Sequence, residues 1–204
     1  MDELLEKIIK EKACVGCDFR NDEQMKTVWW RLKKGRNTEF HKWNFEKSIF
    51  PEFIDGVIFI DCNLRETNFT NTQKFHNSVF NRCKMEKANF SGAIIDQGYI
   101  SNSNCQDCDF ENAHFYRKND IINTDLTKAQ FTSAKMDDIT ISNSNLSNTS
   151  FNNCHISRLQ LSGNTKFANT EFINTKIGSI INNLDFYHKM RFRLCLFKSR
   201  IFRK

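Results

Sequence analysis

The sequence predicts an all-β solenoid, a quadrilateral β-helix of about six four-sided coils with N-terminal helices and a C-terminal helical cap. Three observations carry that expectation. Phe69, Phe90, Phe110, Phe131, Phe151 and Phe172 recur every 20 or 21 residues. An apolar centre falls at about every fifth position from Phe59 to Ile177. The residue two before each centre is mostly small, as in Cys62, Ser78, Cys83, Ala88, Ala93, Gly98, Ala113, Ala129, Ala134, Thr149 and Cys154. A period of five matches neither the 3.6 of a helix nor the 2 of a flat strand. It suits a chain that takes a short extended step, turns a corner and repeats.

Four steps and four corners close one coil, so every fourth centre must share a face. The third face is then all phenylalanine, the six named above. The first reads Phe59, Phe80, Ile100, Ile121, Ile141 and Leu161, and the second Leu64, Met85, Cys105, Leu126, Leu146 and Phe167. The fourth reads Phe75, Ile95, Phe115, Met136, Ile156 and Ile177. A three-step or five-step coil would scatter the phenylalanines. Single-residue slips precede Phe75, Ile121 and Phe167, and the small position holds Gln73, Asn119, Ile139 and Leu159 instead of a small residue, where the coil is expected to widen. Stacked at the strand spacing, the coils make a rod of about 29 Å.

Cys62-Asn63-Leu64, Thr67-Asn68-Phe69, Ala88-Asn89-Phe90, Cys108-Asp109-Phe110, Thr124-Asp125-Leu126 and Ser144-Asn145-Leu146 show the unit plainly. It resembles that of the pentapeptide-repeat family: a small residue, Asp or Asn, Leu or Phe, then two polar positions. The resemblance covers residues 57–177 and extends weakly over Thr38 to Phe50. It implies a right-handed quadrilateral β-helix.

The segments ahead of the rod read as its cover, since an open terminal coil would pair with another molecule. Residues 2–13 place Leu4, Leu5, Ile8 and Ile9 on one side of a short helix. Cys17-Asp18-Phe19 is a stray repeat unit. Asp22 is placed to cap a second helix, with Met25, Val28, Trp29 and Leu32 inward and Gly35 ending it. Thr38-Glu39-Phe40, Trp43-Asn44-Phe45 and Ser48-Ile49-Phe50 are imperfect units before Pro51 and Gly56 interrupt the pattern. The expected division is 1–56 as a helical N-terminal cap with imperfect units, 57–177 as the β-helix, and 178–204 as a basic amphipathic cap or tail.

The net charge of +6 is not spread evenly. Residues 1–58 and 59–177 each balance their acids and bases. The excess falls in the last segment, where Asp185 opposes Lys189, Arg191, Arg193, Lys198, Arg200, Arg203 and Lys204. Phe186, Tyr187, Met190, Leu194, Phe197 and Ile201 fall in one stripe if that segment is helical. Met190, Phe192, Leu194 and Leu196 also alternate with Arg191 and Arg193, as a strand would. The stripe has three candidate uses: capping the last coil, forming a homodimer through the C-terminus, or meeting an anionic membrane or nucleic acid. Capping, with dimerisation beside it, is the expected use.

Of the eight cysteines, the pairs Cys14/Cys17 and Cys105/Cys108 have C-x-x-C spacing. The repeat already explains Cys62, Cys83, Cys108 and Cys154 as small inward residues, Cys105 as a centre, and Cys17 as the small residue of its unit. Free, buried, reduced thiols are expected, with no metal and no cofactor. The opening residues lack a basic start and an apolar signal core, and no run of about 18 apolar residues exists. The expected address is cytoplasmic.

No glycine-rich phosphate loop, H-E-x-x-H or nucleophile with base and orienting acid is present, so the chain does not read as an enzyme. Recognition is left to outward residues. On the first face these are Ile58, Ile60, Val79, Tyr99 and Ile122, an apolar strip for the N-terminal helices to cover or a partner to meet. On the fourth they include His114, Tyr116, Arg117, His155 and Arg158. His114 and His155 lie two coils apart, about 10 Å, too far to share a metal. The first reading is a non-enzymatic protein-binding scaffold. The resemblance to Qnr-like and self-immunity members of the family implies a type II topoisomerase partner, DNA gyrase in particular. The rod departs from a DNA-like field, because it is neutral and its third face offers only Asp109, Glu111 and Glu171 as acids. The alternative is a membrane or nucleic-acid adaptor working through the tail.

Overall fold

The computed structural model describes residues 2–33, 35, 37–70 and 72–198. It begins with α1 (Asp2–Glu11) and α2 (Glu23–Leu32), followed by β1 (Thr38–His41), β2 (Phe53–Asp55) and β3 (Val57–Ile60). Next come β4 (Lys74–His76), β5 (Val79–Asn81), β6 (Ile94–Asp96) and β7 (Tyr99–Ser101). The last strands are β8 (His114–Ile122), β9 (Lys135–Ser142), β10 (His155–Gly163) and β11 (Lys176–Leu184), before α3 (Phe186–Lys198). All strand pairings among the described residues are parallel, and centres stack on centres from coil to coil, as in Phe59↔Phe80, Phe80↔Ile100 and Ile100↔Ile121. The result is a parallel β-solenoid of about seven turns.

Each position of the five-residue unit has a physical job. The centre fills the column. The small residue leaves room and often bonds back to the preceding coil: the Cys62 thiol donates to the Phe40 carbonyl, Cys108 to Met85 and Cys154 to Phe131. The Asn or Asp between them accepts the backbone N–H two residues on, as Asn68 does from Thr70, Asn89 from Ser91 and Asp109 from Glu111. That Asx turn starts the corner. The corner itself is a left-handed residue two after the centre, such as Glu66, Gly92, Asn112, Asn153 and Asn174. Asn and Gly tolerate this conformation best, which explains why they are frequent there.

The third-face rings stack. Phe50, Phe69, Phe90, Phe110, Phe131, Phe151 and Phe172 follow one another at 4.5 to 5.0 Å with nearly parallel planes. Each successive pair of this geometry adds roughly 0.5–1.5 kcal/mol beyond the area it buries. Phe50 extends the expected six, because residues 38–56 form a full coil. Thr38 pairs with Val57, Asn44 bridges to Asn63, and Phe53 pairs with Lys74, bringing Phe40, Phe45, Phe50 and Ile54 to the four faces. Ala13 and Asp18 bridge to Asn44 and Ile49, so residues 13–19 begin a partial coil above it. The solenoid also continues past Ile177: β11 pairs with β10 as far as Leu184. Asn182 takes the first-face centre there, opposite Leu161, which is why the apolar period stops before the structure does.

The slips resolve in different ways. Before Phe75 the chain turns Thr72 inward and leaves Gln73 exposed. Before Ile121, β8 carries one extra residue, so Phe115 faces Met136 but Lys118 faces Asp138. This bulge buries Asn119. Its Nδ2 donates to the Tyr116 and Arg117 carbonyls, and its Oδ1 accepts from Gly98 N–H at 2.8 Å, satisfying a polar group that would otherwise be costly in the core. Ile139 and Leu159 are buried at the equivalent place. In their coils the corner between the fourth and first faces opens into one continuous strand, β9 and β10, whereas Gly56, Asn77 and Gln97 turn it sharply with positive φ. The expected widening is this loss of a corner.

Helix α2 starts where Asp22 accepts from the Gln24 and Met25 N–H groups. It seats Trp29 over the end of the column against Phe19, Phe40 and Phe50. At the other end α3 lays Phe192 on Phe167 and Phe172.

Two substitutions test this packing by chemical denaturation. Phe110→Ala, which interrupts the stack between Phe90 and Phe131, should lower stability by about 3–5 kcal/mol. A Cβ at Gly98 would sit 2.5 Å from Ile95 Cγ2 and 3.2 Å from Asn119 Oδ1, so Gly98→Ala should cost roughly 1–3 kcal/mol.

Candidate functional site

The rod is filled by side chains, so its chemistry is confined to its walls and ends. Among the described residues no group of three His, Cys, Asp or Glu is placed to hold a metal. No described helix is long and apolar enough to cross a membrane. Clefts among the described residues include one of about 320 Å³ near Ile9, Arg31, Leu32 and Trp43, one of about 250 Å³ between the last coils and α3, near Ser147, Lys166, Tyr187 and Arg191, and one of about 260 Å³ near Trp30 and Phe53.

On the first wall, register joins Ile58 to Val79 and Val79 to Tyr99, three half-buried apolar side chains one coil apart. Ile60 lies beside them. Ile122 does not belong to that group: its column runs Ile60, Asn81, Ser101, Ile122, so two polar residues separate the isoleucines. Helices α1 and α2 do not cover this strip. They sit on the end of the column because Trp29 finds aromatic partners there that a flat wall lacks, and Val28 is buried beside it in sequence.

The fourth wall groups His114, Tyr116 and Arg117. The His114 and Tyr116 rings meet edge to face at 5.6 Å, and the Arg117 guanidinium lies 5.3 Å over Tyr116. His155 follows His114 in the same column with Lys135 between them, as the spacing predicts. Charges on this wall pair between coils. Lys74 meets Asp55 at 3.8 Å, His76 meets Asp96 at 3.1 Å, and Arg117 reaches the other oxygen of Asp96 at 3.6 Å. His114 lies 3.5 Å from Asp137, and Arg158 3.1 Å from Asp138. Solvent-exposed pairs of this kind contribute about 0–1 kcal/mol each, so they organise the wall more than they stabilise it. At the corner beyond the first wall, Arg82 forks onto both oxygens of Asp61 and holds that carboxyl below the usual range.

Cys62, Cys83, Cys105, Cys108, Cys154 and Cys195 are free and buried. Burial pushes the Cys154 thiol up to about 12. The hydrogen bond to Cys62, together with burial, raises Cys83, while the same bond lowers Cys62. Cys14 and Cys17 depart from the expectation: they are joined as a disulfide, with Cα atoms 5.5 Å apart. The partial coil brings both together, a relation the repeat pattern, whose clear units begin far downstream, does not carry.

The tail is helical, and its buried face differs from the expected stripe. Phe192, Cys195 and Leu196 face the column, with the Cys195 thiol on the Phe167 carbonyl. Tyr187, Met190 and Leu194 are about half exposed. The reason is shape: Phe192 fits between Phe167 and Phe172, and one such seat sets the rotation of the whole helix. The side chains of Phe186 and Phe197, and all of Ile201, lie outside the described residues.

The family model for pentapeptide repeats matches residues 55–97 and 124–163, in 8 copies. The intervening stretch contains the β8 bulge. No curated protein matches the chain in sequence. Among solved structures, full-length QnrB1, a plasmid-mediated fluoroquinolone resistance protein, shares 17% identity, with 93% of this chain and 97% of that one covered at a TM-score of 0.51. Two trypsin-treated QnrB1 variants give 18% identity, 89% and 95% coverage and a TM-score of 0.53, and 19%, 89% and 94%, and 0.56. At such identities the likeness is one of fold.

The six free thiols should react slowly with a disulfide reagent in the native protein and rapidly in denaturant. Because the Cys154 pKa is raised in the folded state, its contribution to stability is complete below the ordinary 9.0 and lost as pH rises toward about 12. Truncation after Asp185 uncovers Phe167 and Phe172, so the shortened protein should melt at lower temperature and aggregate; unchanged melting would show that α3 does not cap.

Proposed function

We propose that this chain, a pentapeptide-repeat protein by its units and its fold, is a non-enzymatic scaffold that binds another protein with its outer walls. The observation that carries the reading is the solid column. Stacked phenylalanines leave no interior volume for a substrate, while the coils hold outward side chains at fixed intervals. Such a rod offers pre-organised surface at little ordering cost on binding. The specific partner we propose is a type II topoisomerase, DNA gyrase first, with protection from a drug or toxin as the outcome. Support comes from the Qnr-like resemblance and from a fold shared with QnrB1 along most of both chains. The neutral rod argues for recognition by shape and local contacts, not by a DNA-like field. The proposed address is the cytoplasm, where such a partner works.

Homodimerisation belongs to the same proposal, through the exposed Tyr187, Met190 and Leu194 on α3. That surface also favours a second reading. Lys189, Arg191 and Arg193 share the helix with this apolar face, the pattern of a helix that settles on an anionic membrane or nucleic acid.

Expression of the protein should raise the minimal inhibitory concentration of a fluoroquinolone, and purified protein should bind gyrase and shield supercoiling from the drug. No protection and no gyrase binding would remove the topoisomerase version. Flotation with anionic vesicles or DNA, lost on Met190→Asp with Leu194→Asp, would favour the second reading.

A further inference from the structure

One column of the fourth wall joins exposed apolar side chains at one end to exposed lysines at the other. Phe53 pairs with Lys74, and Ile94 with His114; Phe75 opposite Ile95 sets Lys74 beside Ile94. His114 then pairs with Lys135, Lys135 with His155, and His155 with Lys176. Phe53, Lys74, Ile94, His114, Lys135, His155 and Lys176 therefore stand one per coil, about 4.8 Å apart along a line of roughly 29 Å. The N-terminal half carries two exposed apolar side chains, Phe53 at 48% and Ile94 at 38%, on either side of Lys74, which is paired with Asp55. The C-terminal half is polar, with the cations Lys135 and Lys176 interleaved with His114 and His155.

The nearby acids pair with other groups and leave the two lysines unmatched: Asp137 lies 3.5 Å from His114, and Arg158 meets Asp138 at 3.1 Å. Lys135, His155 and Lys176 are exposed and have no ion pair among the described residues. At the other end, Trp30 is 60% exposed and shares with Phe53 a recess of about 260 Å³ also bounded by Arg20, Lys26, Pro51 and Glu52, whose one acid is outnumbered by the two cations. Arg20 gives Nε to the Phe50 carbonyl and Nη1 to Thr70, while its Nη2 is buried with no hydrogen-bond partner.

We propose that the fourth wall docks an acidic amphipathic α-helix of a protein partner, with an apolar anchor in the Trp30–Phe53 recess and carboxylates along Lys135, His155 and Lys176. The proposal rests on the scaffold reading and names the wall and the partner chemistry. A helix presents one side chain per turn every 5.4 Å, close to the coil rise, so over three intervals the two ladders drift by only about 2 Å, within the reach of a lysine. About 20 residues of helix span the line. Aliphatic Ile94 and the aromatic anchor at one end alone favour a protein over nucleic acid, whose bases would need stacking partners along the whole strand.

The test uses the full chain and a fluorescein-labelled 20-residue helical peptide with Glu once per turn on one face and a Trp near one end. Anisotropy should show saturable binding that weakens with salt. It should fall about tenfold for Lys135→Glu combined with Lys176→Glu, fall similarly for Trp30→Ser, and stay unchanged for Lys84→Glu on the second wall. Circular dichroism of each variant checks that the rod persists. Absence of peptide binding, insensitivity to both fourth-wall variants, or tighter binding of a 20-base-pair duplex than of the peptide overturns the proposal. Gyrase binding that survives the double charge reversal also sinks it, and leaves the scaffold reading standing.

Discussion

Parallel backbone pairing between coils at about 4.8 Å is the constraint on which the rest of the molecule depends. It brings each residue beside its equivalent one coil away, so whatever occupies an inward position must be compatible with a copy of itself. Phenylalanine meets that demand well, because its rings stack at nearly the same distance as the strands. The same pairing satisfies the backbone on every face, which lets a narrow column with little conventional sheet or helix hold together. Small residues, Asx turns and left-handed corners are consequences of closing a square around those rings.

The pairing that fills the inside also organises the outside. Outward residues far apart in sequence become neighbours one coil apart, so a wall is read as columns and not as segments. This is how Phe53, Ile94 and Lys176 come to share one line, and how Ile122 is kept away from Ile60. Interior repetition leaves the walls free to vary, since an outward side chain has no copy it must match. Recognition in such a protein is a property of register.

The ends impose the opposite requirement. A terminal coil exposes rings and strand edge, and both ends here are closed by an aromatic residue from a helix, Trp29 on one and Phe192 on the other. The helices contribute one good seat each. Once Phe192 is placed, Tyr187, Met190 and Leu194 must face outward, so the surface available to a second molecule follows from how the first is capped.

The column was legible from the amino-acid sequence because its constraint is local and repeated: the same side-chain size and polarity must return every five residues, and the phenylalanines fix the number of sides. The buried, free Cys62, Cys83, Cys108 and Cys154 were legible for the same reason. Features that occur once were not. The closing of the imperfect units at 38–56 into a full coil, the exchange of Thr72 for Gln73, the Cys14–Cys17 bond and the rotation of α3 each depend on a single fit made once in the chain. A period cannot encode such a fit, since it records only what the chain repeats. Which outward residues adjoin was likewise decided by the tertiary structure, because the single-residue slips and the β8 bulge shift the columns by amounts that only the folded pairing defines.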